Sequence, residues 1–218
     1  MPSRMIHYLV AEEVAKQVEI KNRNRFKLGS LCPDMAIRED GSKHITHFME
    51  IHGDKKGCNW LTYLSRYGEK MCDDDFYTGV FCHIITDVIW FHDIMDTQIR
   101  FKVKDKEKSR ILYQKGYADY HRLNYILKKE FGLVHYLEED RKLELDGLHM
   151  ELYEDVVQGL YQDFYEDPPA EKEELEIYTY DISLACIHKC IAECVSAITA
   201  FRGGEEKTTP EKYYVQVY

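Results

Sequence analysis

Six stretches of this chain place apolar residues three and four apart, the spacing that turns one helix face toward a core. The first covers about residues 3–18, where His7, Val10, Ala11 and Val14 fall on one side, so a histidine points inward among apolar neighbours. The second covers 56–71, with Trp60, Leu61, Leu64 and Tyr67 aligned. The third, about 76–95, is the most apolar segment and predicts a long central buried helix. Asp73, Asp74 and Asp75 precede it and put carboxylates where a helix start favours them. Further helices are predicted over about 109–131, 148–165 and 181–201.

The segments between them are polar. Residues 21–25 form a basic connector, and LGSLCPD at 28–34 reads as an ordered loop around Gly29 and Pro33. Residues 35–55 are loop-like and contain His44, His47 and His52. Residues 96–108 are a charged connector, and 133–147 are charged without a clear period. Asp167-Pro168-Pro169 breaks the chain before a glutamate-rich run, which reads as solvated surface. Only 176–180 carries a trace of strand pattern. The expectation is an all-α fold, one helical domain over residues 1–202 built around the central helix, with a polar C-terminal tail at 203–218 beginning at Gly203-Gly204.

Composition narrows the function. Hydrophobic residues are 44% and charged residues 31%, an ordinary globular balance that argues against wholesale disorder. A net charge of −10 argues against an extended nucleic-acid-binding surface, but leaves room for a small phosphorylated substrate, because a bound divalent metal reverses the local field. The seven cysteines form no CxxC pair, and Cys186, Cys190 and Cys194 recur every four residues as a buried stripe. No window of eighteen apolar residues predicts a transmembrane span. The first residues meet glutamates before an apolar core of signal length develops, so with reduced thiols the expected location is the cytoplasm.

Chemistry concentrates on the central helix. His83 and Asp87 stand one turn apart on one face, and an ionised carboxylate buried there requires compensation. A metal ion would supply it; so would a buried, hydrogen-bonded His–Asp pair with a purely structural role. On a continuous α-helix Asp93 lies about 80° from His83 and His92 about 180° away, so Asp93 is the better placed to join the same site. Asp119 shares an inward stripe with Leu112, Gly116, Leu123 and Ile126, and a second metal would give it a partner, as would a lysine or a tyrosine hydroxyl. His135 and Glu139 have ligand spacing in an exposed, charged setting, while His149 and His188 read as ordinary helix residues.

The pieces MPSRMIHYLVAEEV, LGSLCPD, SKHITHF and GVFCHIITDVIW occur in an order that resembles the zinc-dependent phospholipase C family, related in fold to the fungal single-strand nucleases. The likeness covers residues 1 to about 95, with an echo in YADYHRLNY at 117–125. It implies a metal cluster of His7, Asp34, His47, His83 and Asp87, with Asp34 doubling as a catalytic general base. The family's downstream ligands have no clean counterpart, so Asp93 (or His92) and Asp119 stand in for them. The expectation is a metal-dependent hydrolase of a phosphoester or phosphodiester, a phosphodiesterase in the broad sense, with a metal-activated water as nucleophile. The divalent metal, zinc by resemblance, would occupy one site, with two or three possible. Two alternatives stay open: an HD-type phosphohydrolase using His92 and Asp93, and a non-catalytic helical protein with a structural or vestigial cluster.

Overall fold

The apolar central segment folds as expected. In the computed structural model, which describes residues 2–103, 105–165, 174–205 and 209–217, helix α6 (Asp75–Trp90) has every residue buried. Asp74 caps it by accepting from the Phe76 amide at 2.9 Å. Burying side chains such as Phe76, Val80, Phe81 and Ile84 contributes about 1.5–3 kcal/mol each, which is why this helix is the axis on which the rest packs.

Around it stand α1 (Arg4–Val14), α2 (Arg23–Leu31), α4 (Trp60–Tyr67), the single turn α5 (Lys70–Asp73) and α9 (Tyr180–Gly203). Helices α7 (Lys106–Glu130) and α8 (Tyr153–Tyr165) close the outer side, and α3 (Ser42–Thr46) is a short turn of helix beside the site. The all-α expectation holds, with one small addition. Strands β1 (Met49–His52), β2 (Lys55–Cys58) and β3 (Val215–Gln216) form an antiparallel sheet in that order, with Met49 opposite Cys58 and Lys56 opposite Val215. These strands are too short and too polar for a period-two pattern to show. The end of the polar C-terminal stretch thus returns to the body of the protein, with Tyr213, Tyr214 and Val215 buried. Residues 176–180 are not a strand, and Asp167-Pro168-Pro169 lies outside the described residues.

The largest departure from expectation is at residues 28–34. Instead of a loop, α2 runs through Leu31 and a 3-10 turn covers Cys32–Asp34. Gly29 is there for a close approach between helices rather than for a turn. A Cβ on Gly29 would sit 2.0 Å from the Phe76 carbonyl oxygen, and one on Gly79 would sit 2.0 Å from that of Phe26. Two glycines facing each other let the backbones of α2 and α6 touch.

A second departure lies past Trp90. The chain does not leave the helix at Met95 but continues as a π-helical stretch over Phe91–Arg100, closed by the Phe101 amide donating to the Asp96 carbonyl five residues back. The 100° per residue count therefore stops at Trp90, and the angles expected for His92 and Asp93 do not apply.

Among the described residues, α9 alone is long and apolar enough to cross a membrane by length and composition. Its Cys186, Ile187, Cys190 and Cys194 face is buried, with the Cys194 thiol against the Cys82 carbonyl of α6 at 3.7 Å. All seven cysteines are free, and Cys186, Cys190 and Cys194 are buried as their four-residue spacing predicts.

Candidate metal centre

The close packing of α2 on α6 has a chemical consequence. Ser30 lies in the last turn of α2, where carbonyls lack an intrahelical partner, and its oxygen accepts from His83 Nδ1 at 2.8 Å. That bond places the proton of the neutral imidazole on Nδ1 and leaves the Nε2 lone pair pointing inward. His47, which follows α3, is oriented the same way. Thr46 Oγ1 donates to the Pro33 carbonyl at 2.9 Å and so accepts from His47 Nδ1, also at 2.9 Å. Phe48 then takes a left-handed turn (φ 50°), held by its edge-on packing against Tyr63 and Tyr67, and leads the chain into β1.

Three acceptor atoms converge as a result. His83 Nε2 lies 3.2 Å from His47 Nε2 and 3.6 Å from Asp87 Oδ2, and His47 Nε2 lies 3.3 Å from that same oxygen. His7 Nε2, from α1, is 3.4 Å from Asp87 Oδ1, and its ring stacks on His83 at 3.9 Å. Asp34 Oδ1, at the end of the 3-10 turn, is 3.5 Å from His47 Nε2 and accepts from Lys43 Nζ at 3.0 Å. His7, His47, His83 and Asp87 are at most 1% exposed, and only Asp34 is partly open to solvent. Neither nitrogen of His7 nor either oxygen of Asp87 has a hydrogen-bond partner.

Lone pairs packed against one another in a dry site are costly unless something positive joins them. The spacing fits a cation. Donors about 2.0–2.2 Å from a tetrahedral zinc stand about 3.3–3.6 Å apart, which matches these edges closely. Two sets offer converging ligand atoms among the described residues: His7, His83 and Asp87, and Asp34, His47 and His83.

The protonation states of His7, His47, Asp34 and Asp87 suit the same role, whereas at His83 a metal would have to displace a proton. Burial, then the neighbouring His83, lower the His7 pKa to about 4, so this imidazole is neutral at ordinary pH. Burial likewise lowers His47. Burial also opposes charge on His83, but Asp87 and Asp34 outweigh it and its pKa is raised. For Asp87, burial is opposed by His83, His7 and His47, which hold the carboxyl well below the usual carboxylate range. Asp34 is held low in the same way against its burial, by His47, His83 and Lys43.

Of the sequence-expected residues, the structure brings His7, Asp34, His47, His83 and Asp87 together. It does not bring Asp93 or Asp119, and the expectation of a second position built around them is corrected. Asp93 is bound to His92 at 2.5 Å and to Lys189 at 2.6 Å, on the π-helical stretch. Asp119 is buried and inward as expected, but its partners are the backbone amides of Glu176, Ile177 and Tyr178, at 2.6–3.1 Å, together with Arg122 at 2.8 Å. It fastens the segment before α9 to α7. His52 is paired with Glu50, and His149 with Asp40 and Glu151.

A cleft of about 510 Å³ opens beside the cluster, with His47 and Asp87 on its wall. Its other lining groups include Arg38, Lys43, Lys56 and Arg100, with Phe91, Tyr113 and Tyr213 forming an aromatic side. Sequence reading missed these four cations, which come from separate elements and carry no motif. A second cavity, of about 350 Å³, lies beside Arg25 and Asp74, but those charges already satisfy each other.

The chain matches a family model described as zinc dependent phospholipase C over residues 6–191. No curated protein and no solved structure matches it. The matched span starts beside His7, takes in all five clustered residues and ends inside α9, well over half of the chain, so the protein belongs to the zinc-dependent phospholipase C family.

Proposed function

We propose that the protein hydrolyses a small phosphoester or phosphodiester at a single divalent-metal centre, with zinc as the metal. The observation that carries this reading is the triangle of His47 Nε2, His83 Nε2 and Asp87 Oδ2, each imidazole oriented from behind by a hydrogen bond, with His47 and Asp87 on the wall of a cleft. The mixed nitrogen and oxygen donor set suits zinc. One centre is favoured over two, because the single inward lone pair of His83 is shared by both candidate ligand sets.

A divalent cation held there supplies a Lewis acid for a phosphoryl oxygen and lowers the pKa of water at the site. The chain's own residues do the rest. His7, His47, His83 and Asp87 would hold the cation, and all four are buried away from water. Asp34 is the one carboxylate of the cluster partly open to solvent, so it is placed to hold an attacking water. Its depressed basicity suits orienting that water more than removing its proton. Lys43, 3.0 Å from Asp34 and on the cleft wall, adds positive charge where a phosphoryl group would dock.

The test is elemental analysis of full-length protein purified without chelator, with turnover of bis(p-nitrophenyl) phosphate measured on the same sample. About one zinc per chain is expected, with hydrolysis lost in Asp87→Asn. Protein that neither carries nor takes up a divalent metal would overturn the reading. Full metal occupancy without turnover of any phosphodiester would favour the structural-cluster alternative.

A further inference from the structure

The cleft beside the candidate centre is cationic in a protein of net charge −10. Four basic side chains line it, and the one carboxylate beside them on the lining is Asp87, which faces the histidine cluster. Two of the four have local partners: Lys43 with Asp34, and Arg100 with Asp96 at 2.7 Å. For Lys56, in β2, and Arg38, in the segment before α3, no carboxylate partner is found among the described residues. Lys56 is only partly exposed. Burial first, then the nearby charges of Arg100 and Arg38, push its ammonium below the ordinary lysine value, and the Asp96 carboxylate offsets them only in part.

One phosphoryl group at the centre would engage the metal and Lys43. It would leave Lys56 and Arg38 without an ion-pair partner, and this is more positive charge than a single ester phosphate requires. A zwitterionic headgroup would fit poorly, since its own cation would have to sit among these side chains. We propose that the substrate is a phosphate ester carrying a second strongly anionic group, held by Lys56 and Arg38 on the wall of the cleft that His47 and Asp87 also line. The proposal rests on the functional reading above and specifies its substrate class. A lipid headgroup and a soluble ester both offer that second anion, and the chemistry recognised is the same.

The experiment is isothermal titration of the zinc-loaded full chain with 1,3-propanediol bisphosphate and, separately, with 3-hydroxypropyl phosphate, which lacks the second phosphate. The bisphosphate is expected to bind at least about tenfold more tightly, as two charge-assisted bonds to a phosphate would give. That advantage should collapse to less than about threefold in the Arg38→Gln/Lys56→Gln double variant. Zinc content of the double variant should match wild type, since neither side chain touches the cluster, and circular dichroism confirms that it folds. Equal affinity for the two ligands in wild type, an advantage that survives the double substitution, or tighter binding of phosphorylcholine than of the bisphosphate would each overturn the proposal. Turnover of bis(p-nitrophenyl) phosphate is scored separately. Loss of the hydrolase reading with the bisphosphate preference intact therefore differs from loss of the preference with hydrolysis intact. Binding to vesicles containing a phosphatidylinositol bisphosphate, compared with the soluble glycerophosphoinositol bisphosphate, then assigns the source. A preference for either supports the anion site, and binding of neither overturns it.

Discussion

Two His–Asp pairs sit on the same continuous helical run, and they do different things. His83 and Asp87 lie on the α-helical part, fully buried, with Asp87 lacking any hydrogen-bond partner and His83 tied to Ser30 from behind. His92 and Asp93 lie nine and six positions further on, in the π-helical stretch. There the carboxylate takes a bond from its own neighbour and another from Lys189. The second pair is electrically complete, whereas in the first neither carboxylate oxygen has a hydrogen-bond partner. Residue type is the same in both; what differs is whether a positive group from elsewhere in the chain reaches the carboxylate. Asp119 is a third solution: fully buried like Asp87, yet satisfied by three backbone amides and an arginine.

That contrast can be broken experimentally. The largest effect is expected from Asp87→Asn, which removes the fully buried charge that His7, His47 and His83 all face. Zinc affinity, measured by competition with a chromogenic chelator, should fall more than about a hundredfold, the cost of breaking a buried charge pair being about 3–5 kcal/mol. If zinc affinity were unchanged, Asp87 would be a structural carboxylate like Asp119. Next comes metal removal. A ligand present at about a thousand times its dissociation constant stabilises by about 4 kcal/mol, so EDTA should lower Tm by about 10 °C in wild type and in His92→Ala. EDTA should leave Asp87→Asn almost unmoved.

Asp119→Asn is expected to cost about 2–3 kcal/mol in a denaturant titration, because a charge-assisted cap on three amides is lost. Its zinc content should stay normal, and a loss of zinc would place Asp119 in the metal centre after all. The smallest effect belongs to His92→Ala, which removes one partly exposed partner of Asp93 while Lys189 remains. Less than about 0.5 kcal/mol of stability should be lost, with zinc affinity within threefold of wild type. A large drop there would revive the HD-type alternative.

The candidate site was legible where its signal was local. The four-residue spacing of His83 and Asp87 within an apolar run, and the inward face of His7, depend on helix periodicity alone, and the structure keeps both. His47 was singled out from His44 and His52 by family resemblance, since nothing in its local pattern distinguishes it. Asp119 was read correctly as an inward carboxylate, but the backbone amides that bind it lie 57 to 59 residues away and follow no motif. Gly29 was misread because a glycine near a proline looks like a loop, while its actual task is set by Gly79, on a helix fifty residues later. Lys56 and Arg38 were invisible for the same reason: scattered cations in an acidic chain mean nothing until the fold puts them in one cleft.

The sequence by itself determined a helical protein arranged about one buried axis, with a histidine and an aspartate on that axis that require compensation. Periodicity and the cost of burying charge are enough for that. Tertiary structure alone decided which outside groups supply it. The glycine contact between α2 and α6 brings the Ser30 carbonyl to His83, the turn at Phe48 aims His47, and the sheet and the end of the π-helical stretch gather the cations. A carboxylate becomes a ligand, a cap or half of a surface pair according to what lies within about 3–4 Å of it, and such distances are set by packing between elements remote in sequence.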